Sequence, residues 1–146
     1  MKIEFSPFEA SHLTSCAELY CQTYQAEAWE STQPIIEFLT AHLNNNYFKG
    51  YIAKVENQMI AACIGFKKPW NQGIEYYVDE FFVHPDVQRK NIGSQLMHYI
   101  EQQCRVEALN VIILNTERNF PSELFYQQNG FNEHEGLIVL SKRLIK

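Results

Sequence analysis

Asp79-Glu80-Phe81-Phe82-Val83-His84-Pro85-Asp86-Val87-Gln88-Arg89-Lys90-Asn91-Ile92-Gly93-Ser94-Gln95-Leu96-Met97 reads as strand, tight polar loop and helix. An alternating acidic and apolar run ends at proline, and from Ile92 the apolar residues Ile92, Leu96, Met97, Ile100 and Cys104 fall about one helical turn apart. The loop between them has the physics of anion capture, the plain reading being an ordinary loop entering an ordinary helix. The first backbone N–H groups of a helix lack partners within it, and the helix dipole places partial positive charge there. A diphosphate fits such a place. Gly93 lets backbone approach a ligand closely, Asn91 is the non-glycine type most tolerant of a left-handed conformation, and Arg89 and Lys90 add favourable charge.

Two motifs extend this reading. Phe81-Phe82-Val83-His84-Pro85 followed by Gln88 to Gly93 matches a strand ending Leu-x-Val-x-Pro and a Gln/Arg-x-x-Gly-x-Gly/Ala loop, with Asn91 standing at the first glycine. Further on, Asn119, Ser122, Phe125 and Tyr126, then Gly130-Phe131, match Asn-x-x-Ala-x-x-Leu-Tyr followed by Gly-Phe. With these motifs the chain resembles the GNAT superfamily of acetyl-CoA-dependent N-acetyltransferases. The stretches Ala28-Trp29-Glu30-Ser31 and Val78-Asp79-Glu80 are similar to its aminoglycoside N-acetyltransferase-like branch. The resemblance implies an α/β (α+β) fold in a single domain over 1–146: a mixed, mostly antiparallel sheet of about six to seven strands with a central, splayed parallel pair, flanked by about four helices.

Composition sets bounds on this. With 146 residues and 46% hydrophobic content, one core of ordinary size can form. The longest apolar runs fall far short of the roughly 20 residues that span a bilayer, and the start of the chain shows no signal-peptide pattern, so a cytoplasmic protein without a membrane partner is expected. Cys16, Cys21, Cys63 and Cys104 have neither metal-ligand nor disulfide spacing and read as reduced core residues; no metal is expected. The histidines lack metal-like spacing too. A net charge of −5 argues against nucleic acid and leans toward a cationic partner.

Taken in order, Lys2 to Ser6 reads as a strand and Glu9 to Tyr24 as an amphipathic helix through Leu13, Cys16, Ala17, Tyr20 and Tyr24. Ser31-Thr32 offers a cap for a helix opened by Pro34 and using Ile35, Ile36, Leu39 and Leu43. Tyr51 to Val55 and Met59 to Phe66 form a hairpin at Glu56-Asn57, Lys67 to Gly73 a loop, and Ile74 to Val83 an antiparallel strand. The helix from Ile92 to about Val106 leads to Val111-Ile112-Ile113-Leu114, read as a parallel strand buried on both faces. A helix from Pro121 to Asn129 stops at Gly130, and Phe131 to His134 with Leu137 to Leu140 should close the sheet as a hairpin at Glu135-Gly136.

Strand alternation places Glu75, Tyr77, Asp79 and Phe81 on one face, with Glu80 opposite unless a bulge re-aims it. The resemblance implies a base on this face near the acetyl group. Asp79 is the choice, as base directly or through water or as anchor for the ammonium, with Glu80 the alternative; a solvated strand residue is the plain reading of Asp79. It further implies an oxyanion donor at the Phe81 N–H, pantetheine pairing along Phe81, Phe82 and Val83, and diphosphate contacts from Gln88, Arg89, Lys90, Asn91, Ile92, Gly93 and Ser94. Tyr126 would protonate the departing thiolate, and Asn119 would contact pantetheine or cap the following helix. Trp29 and Glu30, with Glu27, Glu75, Asp79 and Glu80, would line the acceptor side, although Trp29 also reads as a plug in the core. Direct attack in a ternary complex is preferred to a cysteine route.

The implied activity is acetyl transfer from acetyl-CoA to a primary amine of a small cationic molecule. The alternatives are acetylation of a protein lysine or N-terminus, and a CoA-binding regulatory module without turnover. A homodimer is compatible with the exposed-aromatic candidates Tyr47, Phe48 and Trp70.

Overall fold

The computed structural model describes residues 2–24 and 32–145. Contacts divide the chain into two units, Met1–Asn115 and Thr116–Lys146.

In the first unit, β1 (Glu4–Pro7) leads through a short 3-10 turn at Ala10–His12 into α1 (Leu13–Thr23), followed by α2 (Gln33–Leu43). Then come β2 (Phe48–Val55), β3 (Gln58–Trp70) and β4 (Gly73–Val83), a 3-10 turn at Pro85–Val87, α3 (Ile92–Val106) and β5 (Leu109–Leu114). The strands form one sheet in the order β1-β2-β3-β4-β5. Every pair is antiparallel except β4 and β5, which run parallel with α3 as the crossover between them.

Alternation along the strands divides the core between the two faces of the sheet. Ile52, Ala62, Ile64 and Phe82 pack with Cys16, Ala17 and Leu19 of α1 and Ile35 and Leu39 of α2. On the other face, Tyr51, Ala61, Cys63, Tyr76 and Val78 pack with Ile92, Leu96, Ile100 and Cys104 of α3, a stripe at four-residue spacing. The turn at Glu56-Asn57 has positive φ at both residues, 50° and 66°, the mirror-image geometry that suits a two-residue hairpin. Pro34 falls in the first turn of α2 as expected, but Thr32 at its N-cap makes no side-chain cap bond, and Ser31 lies outside the described residues.

Three expectations about the sheet change. The predicted loop from Lys67 to Gly73 is mostly strand, since Lys67 to Trp70 pair with Gly73 to Tyr76 and only Asn71 and Gln72 turn. Proline is tolerated there because β2 has already ended at Phe48, so Pro69 faces no ladder on that side. Second, β5 is the last strand of the sheet among the described residues, and Val111 is exposed rather than buried on both faces. Third, the described sheet has five strands, not six to seven. The alternation at Phe131–His134 and Leu137–Leu140 favours extended backbone, but a strand exists only where its main chain bonds to a neighbour, and neither segment forms a ladder among the described residues. Leu137, Ile138, Val139 and Leu140 are exposed.

The second unit contains α4 (Pro121–Gln128), opened by proline and closed at Gly130, whose φ is 88°. Phe131 N–H bonds to Tyr126 O at 3.0 Å and Gly130 N–H to Gln127 O at 3.1 Å, the paired bonds that end a helix on a left-handed glycine.

Candidate active site

The strand β4 carries one residue more than its partner. Glu80 pairs with Ile64 and Val78 with Gly65, so Asp79 is the extra residue of a β-bulge. A bulge sets two successive side chains toward one side and inverts the alternation beyond them. Tyr76 and Val78 pack on the α3 face before it, whereas Phe81 and Val83 do so after it. Phe82 belongs with α1 and α2. The bulge therefore corrects the predicted faces: Phe81 leaves the side of Asp79, and Glu80 joins it.

Both carboxylates meet side chains from the helical face. His42 Nε2, in the last turn of α2, lies 2.8 Å from Asp79 Oδ2. The Tyr24 hydroxyl at the end of α1 donates to Glu80 Oε2 at 3.3 Å, and Tyr20 hydrogen-bonds the same carboxylate. Tyr20, Tyr24 and Phe82 form an aromatic cluster with ring centroids 4.6 to 6.0 Å apart. Asp79 remains accessible, with 49% of its side-chain surface exposed against 11% for His42.

Burial lifts the Glu80 carboxyl above its usual range, the Asp79 charge adds to the lift, and the bonds from Tyr24 and Tyr20 offset part of it. A carboxyl raised by folding contributes stability that is fully present below its unfolded-state value and is lost as pH rises through the folded-state value. Glu80→Gln, neutral throughout, is therefore expected to raise Tm by a few degrees relative to the unmodified protein at about pH 7 and to lose that advantage by about pH 4. Thermal unfolding at the two pH values checks it.

Downstream, the loop between β4 and α3 takes the predicted left-handed conformation at Asn91. Asn91 is the N-cap of α3, with φ 65° and ψ 16°, so asparagine does occupy the left-handed conformation the missing glycine would have held. Arg89 is left-handed as well, with φ 67°. The Asn91 side chain makes no cap bond, and Arg89, Lys90 and Asn91 are exposed. Gln88 turns back instead: its side-chain amide donates to Val83 O at 3.0 Å and clips the loop to the end of β4. The ladder between β4 and β5 runs from Ile74 to Val78, while that between β4 and β3 continues to Val83. Parallel pairing thus stops just before the bulge, as a splayed pair requires.

Of the other predicted site residues in the first unit, Glu75 lies apart from the acidic pair. Glu75 is four positions before Asp79, about 13 Å along the strand, opposite Lys68, whose ammonium lies 4.8 Å from the Trp70 ring centroid and 5.9 Å from that of Tyr77. Trp29, Glu30 and Glu27 fall outside the described residues. In the second unit, Tyr126 packs between Phe125 and Phe131 at 5.2 and 5.4 Å. Asn119 is left-handed, with φ 68°, and its N–H bonds to Glu123 Oε2 at 3.3 Å; Phe120, not Asn119, occupies the N-cap of α4.

The cysteines are free and buried. Burial pushes the Cys16 and Cys63 thiols up to about 12 and Cys104 to about 11, which disfavours the thiolate a covalent route needs. Among the described residues no cluster of His, Cys, Asp and Glu could hold a metal ion, and no helix is long and apolar enough to cross a membrane.

A bulged strand, a parallel partner that leaves it early and a left-handed entry into the following helix are the setting in which a family match carries weight. The acetyltransferase (GNAT) family matches residues 13–131. The chain belongs to that family. Its fold is shared by the aminoglycoside N-acetyltransferase AAC(6')-Iy in complex with CoA, 17% identical with a TM-score of 0.78, over 97% of this chain and 95% of that one. An aminoglycoside acetyltransferase from an uncultured soil metagenomic sample, in complex with sisomicin, is 18% identical with a TM-score of 0.80, over 98% and 97%. A ribosomal-protein-alanine N-acetyltransferase from Brucella melitensis biovar Abortus 2308 is 16% identical with a TM-score of 0.77, over 97% and 100%. No curated protein sequence matches the chain. Small-molecule and protein acetylators thus share this GNAT fold, and the fold alone does not select the acceptor.

Sequence reasoning passed over His42, which has no motif, and Tyr20 and Tyr24, which read as core. A signal for the bulge was present: Gly65 interrupts an otherwise apolar strand, a common mark of local irregularity.

Proposed function

We propose that the chain 1–146 acts as one acetyl-CoA-dependent N-acetyltransferase domain that acetylates a primary amine of a small cationic molecule, in the manner of the aminoglycoside-acetylating relatives. The observation that carries the reading is the bulge, which gathers Asp79 and Glu80 on one side of β4 just beyond the point where β5 ends. Two adjacent carboxylates attract a cationic amine, and the net charge of −5 favours its approach.

Main-chain N–H groups from Arg89 to Ser94 would hold the diphosphate of the donor, with the α3 dipole supplying attraction. The left-handed Asn91 and the absence of a side-chain cap fit that role. The pantetheine arm would lie along Phe81 to Val83 as an added strand. An alkylamine, with a pKa near about 10.4, must lose a proton before it attacks the thioester carbon. Asp79 is the acceptor of that proton because it is the more accessible carboxylate, whereas Tyr20 and Tyr24 occupy Glu80. The Phe81 N–H would stabilise the oxyanion, and Tyr126 would return a proton to the leaving thiolate.

Incubation with acetyl-CoA and a panel of small amines and lysine peptides, read as thiol release, tests the reading. Turnover with small amines supports it. Turnover only with peptides would replace it with a protein acetyltransferase, and CoA binding without turnover with a regulatory module. Tyr126→Phe is expected to lower kcat by about 10- to 100-fold with little change in the KM of the amine, as loss of a general acid does; full turnover would leave Tyr126 a packing residue.

A further inference from the structure

We infer that His42 is a positioning residue for the reaction, holding the Asp79 carboxylate so that one oxygen is fixed and the other is left to receive the proton of the amine. The inference rests on the reading of Asp79 as proton acceptor.

The two nitrogens of His42 have different surroundings. Nε2 lies 2.8 Å from Asp79 Oδ2, while Nδ1 is buried with no hydrogen-bond partner among the described residues. The ring sits against Phe38 at 4.9 Å, edge to face, and near Phe48 at 6.3 Å. A ring with hydrogen on both nitrogens would bury an N–H with nothing to accept it, a costly arrangement. The neutral ring with hydrogen on Nε2 leaves only a bare lone pair at Nδ1, and it donates to the carboxylate. The buried Nδ1 lies beyond reach of an acceptor molecule, so His42 is not itself the base.

Neutral donation matters here. An ionised imidazole would neutralise Asp79 and weaken its pull on a cationic amine. A neutral donor fixes the carboxylate and leaves its charge in place. Other polar groups at this spot are Glu80 on β4 and Tyr20 and Tyr24 from α1, and these bond to one another. Among the described residues, orientation of Asp79 therefore falls to α2.

His42→Phe keeps a ring and removes the donor; His42→Gln places an amide nitrogen near the position of Nε2. The Phe variant is expected to lose about 10- to 100-fold in kcat, as when an orienting partner is removed, with the KM for acetyl-CoA unchanged. The Gln variant should stay within about threefold of the unmodified protein. In an Asp79→Asn background the His42→Phe change should cost nothing further, because the two residues act as a unit. Unchanged kcat in His42→Phe, an equal loss in both backgrounds, or no rescue by Gln would overturn the inference while leaving Asp79 as base. Full activity of Asp79→Asn alone would instead remove the base, and the inference with it. Ring nitrogen NMR gives a readout independent of turnover: the tautomer with hydrogen on Nε2 is expected, and the tautomer with hydrogen on Nδ1 would refute the assignment.

Discussion

Asp79→Asn is expected to lower kcat toward a small amine by about 10²- to 10⁴-fold, the range for removal of a general base, with acetyl-CoA affinity unchanged. The substitution is nearly isosteric, and the amide oxygen can still accept from His42 Nε2, 2.8 Å from Oδ2 in the native protein. What disappears is the charge and the capacity to take a proton. The loss should persist wherever the amine arrives protonated and shrink as rising pH supplies the free base, because solvent then does the work of the missing carboxylate. Calorimetry with CoA and a pH series of initial rates check the two halves separately. A variant with unchanged rates over the whole pH range would place Asp79 outside the chemistry.

The second large effect concerns Gly65, which faces the bulge. A Cβ built there would come within 2.2 Å of Tyr77 O and 2.9 Å of a Tyr76 ring carbon. The obstructing oxygen is main chain in the adjoining strand and cannot rotate away, and the Tyr76 ring is wholly buried. Gly65→Ala is expected to cost about 3 kcal/mol, at the upper end for overpacking. For a chain of this size that corresponds to a Tm about 10 °C lower, measurable by calorimetry. Activity should fall more than stability predicts, since the strands must separate where Asp79 and Glu80 are aimed. A Tm within a degree or two of the native protein would show that β3 and β4 part there without strain.

Much of this architecture is legible in the sequence. The α3 stripe of Ile92, Leu96, Ile100 and Cys104 and the Glu56-Asn57 turn depend on spacing and dihedral preference, which neighbours in sequence determine. The left-handed Asn91 follows from residue type for the same reason. Pro69 misled because its tolerance depends on where β2 ends, a fact of tertiary pairing. The run from Leu137 to Leu140 misled in the opposite sense: an extended preference names no partner. At the site, motif spacing located the loop and the acidic pair but not the direction of Glu80, which one extra residue in β4 decides. His42 was invisible because its meaning comes from a meeting of α2 with β4, 37 positions away.

The surplus residue in β4 has a consequence for how such an acid could be gained or lost. Deleting Asp79, unlike replacing it, would restore even pairing and leave Glu80, Phe81, Phe82 and Val83 on the sides they occupy now, so that one carboxylate is lost while the layer beneath α3 keeps its residues. An ancestor with a regular strand could not acquire this carboxylate by point substitution alone. Insertion and a glycine at the facing position would have to arrive together, while the apolar pattern downstream stays as it was, so the acid and the glycine that makes room for it are inherited as one.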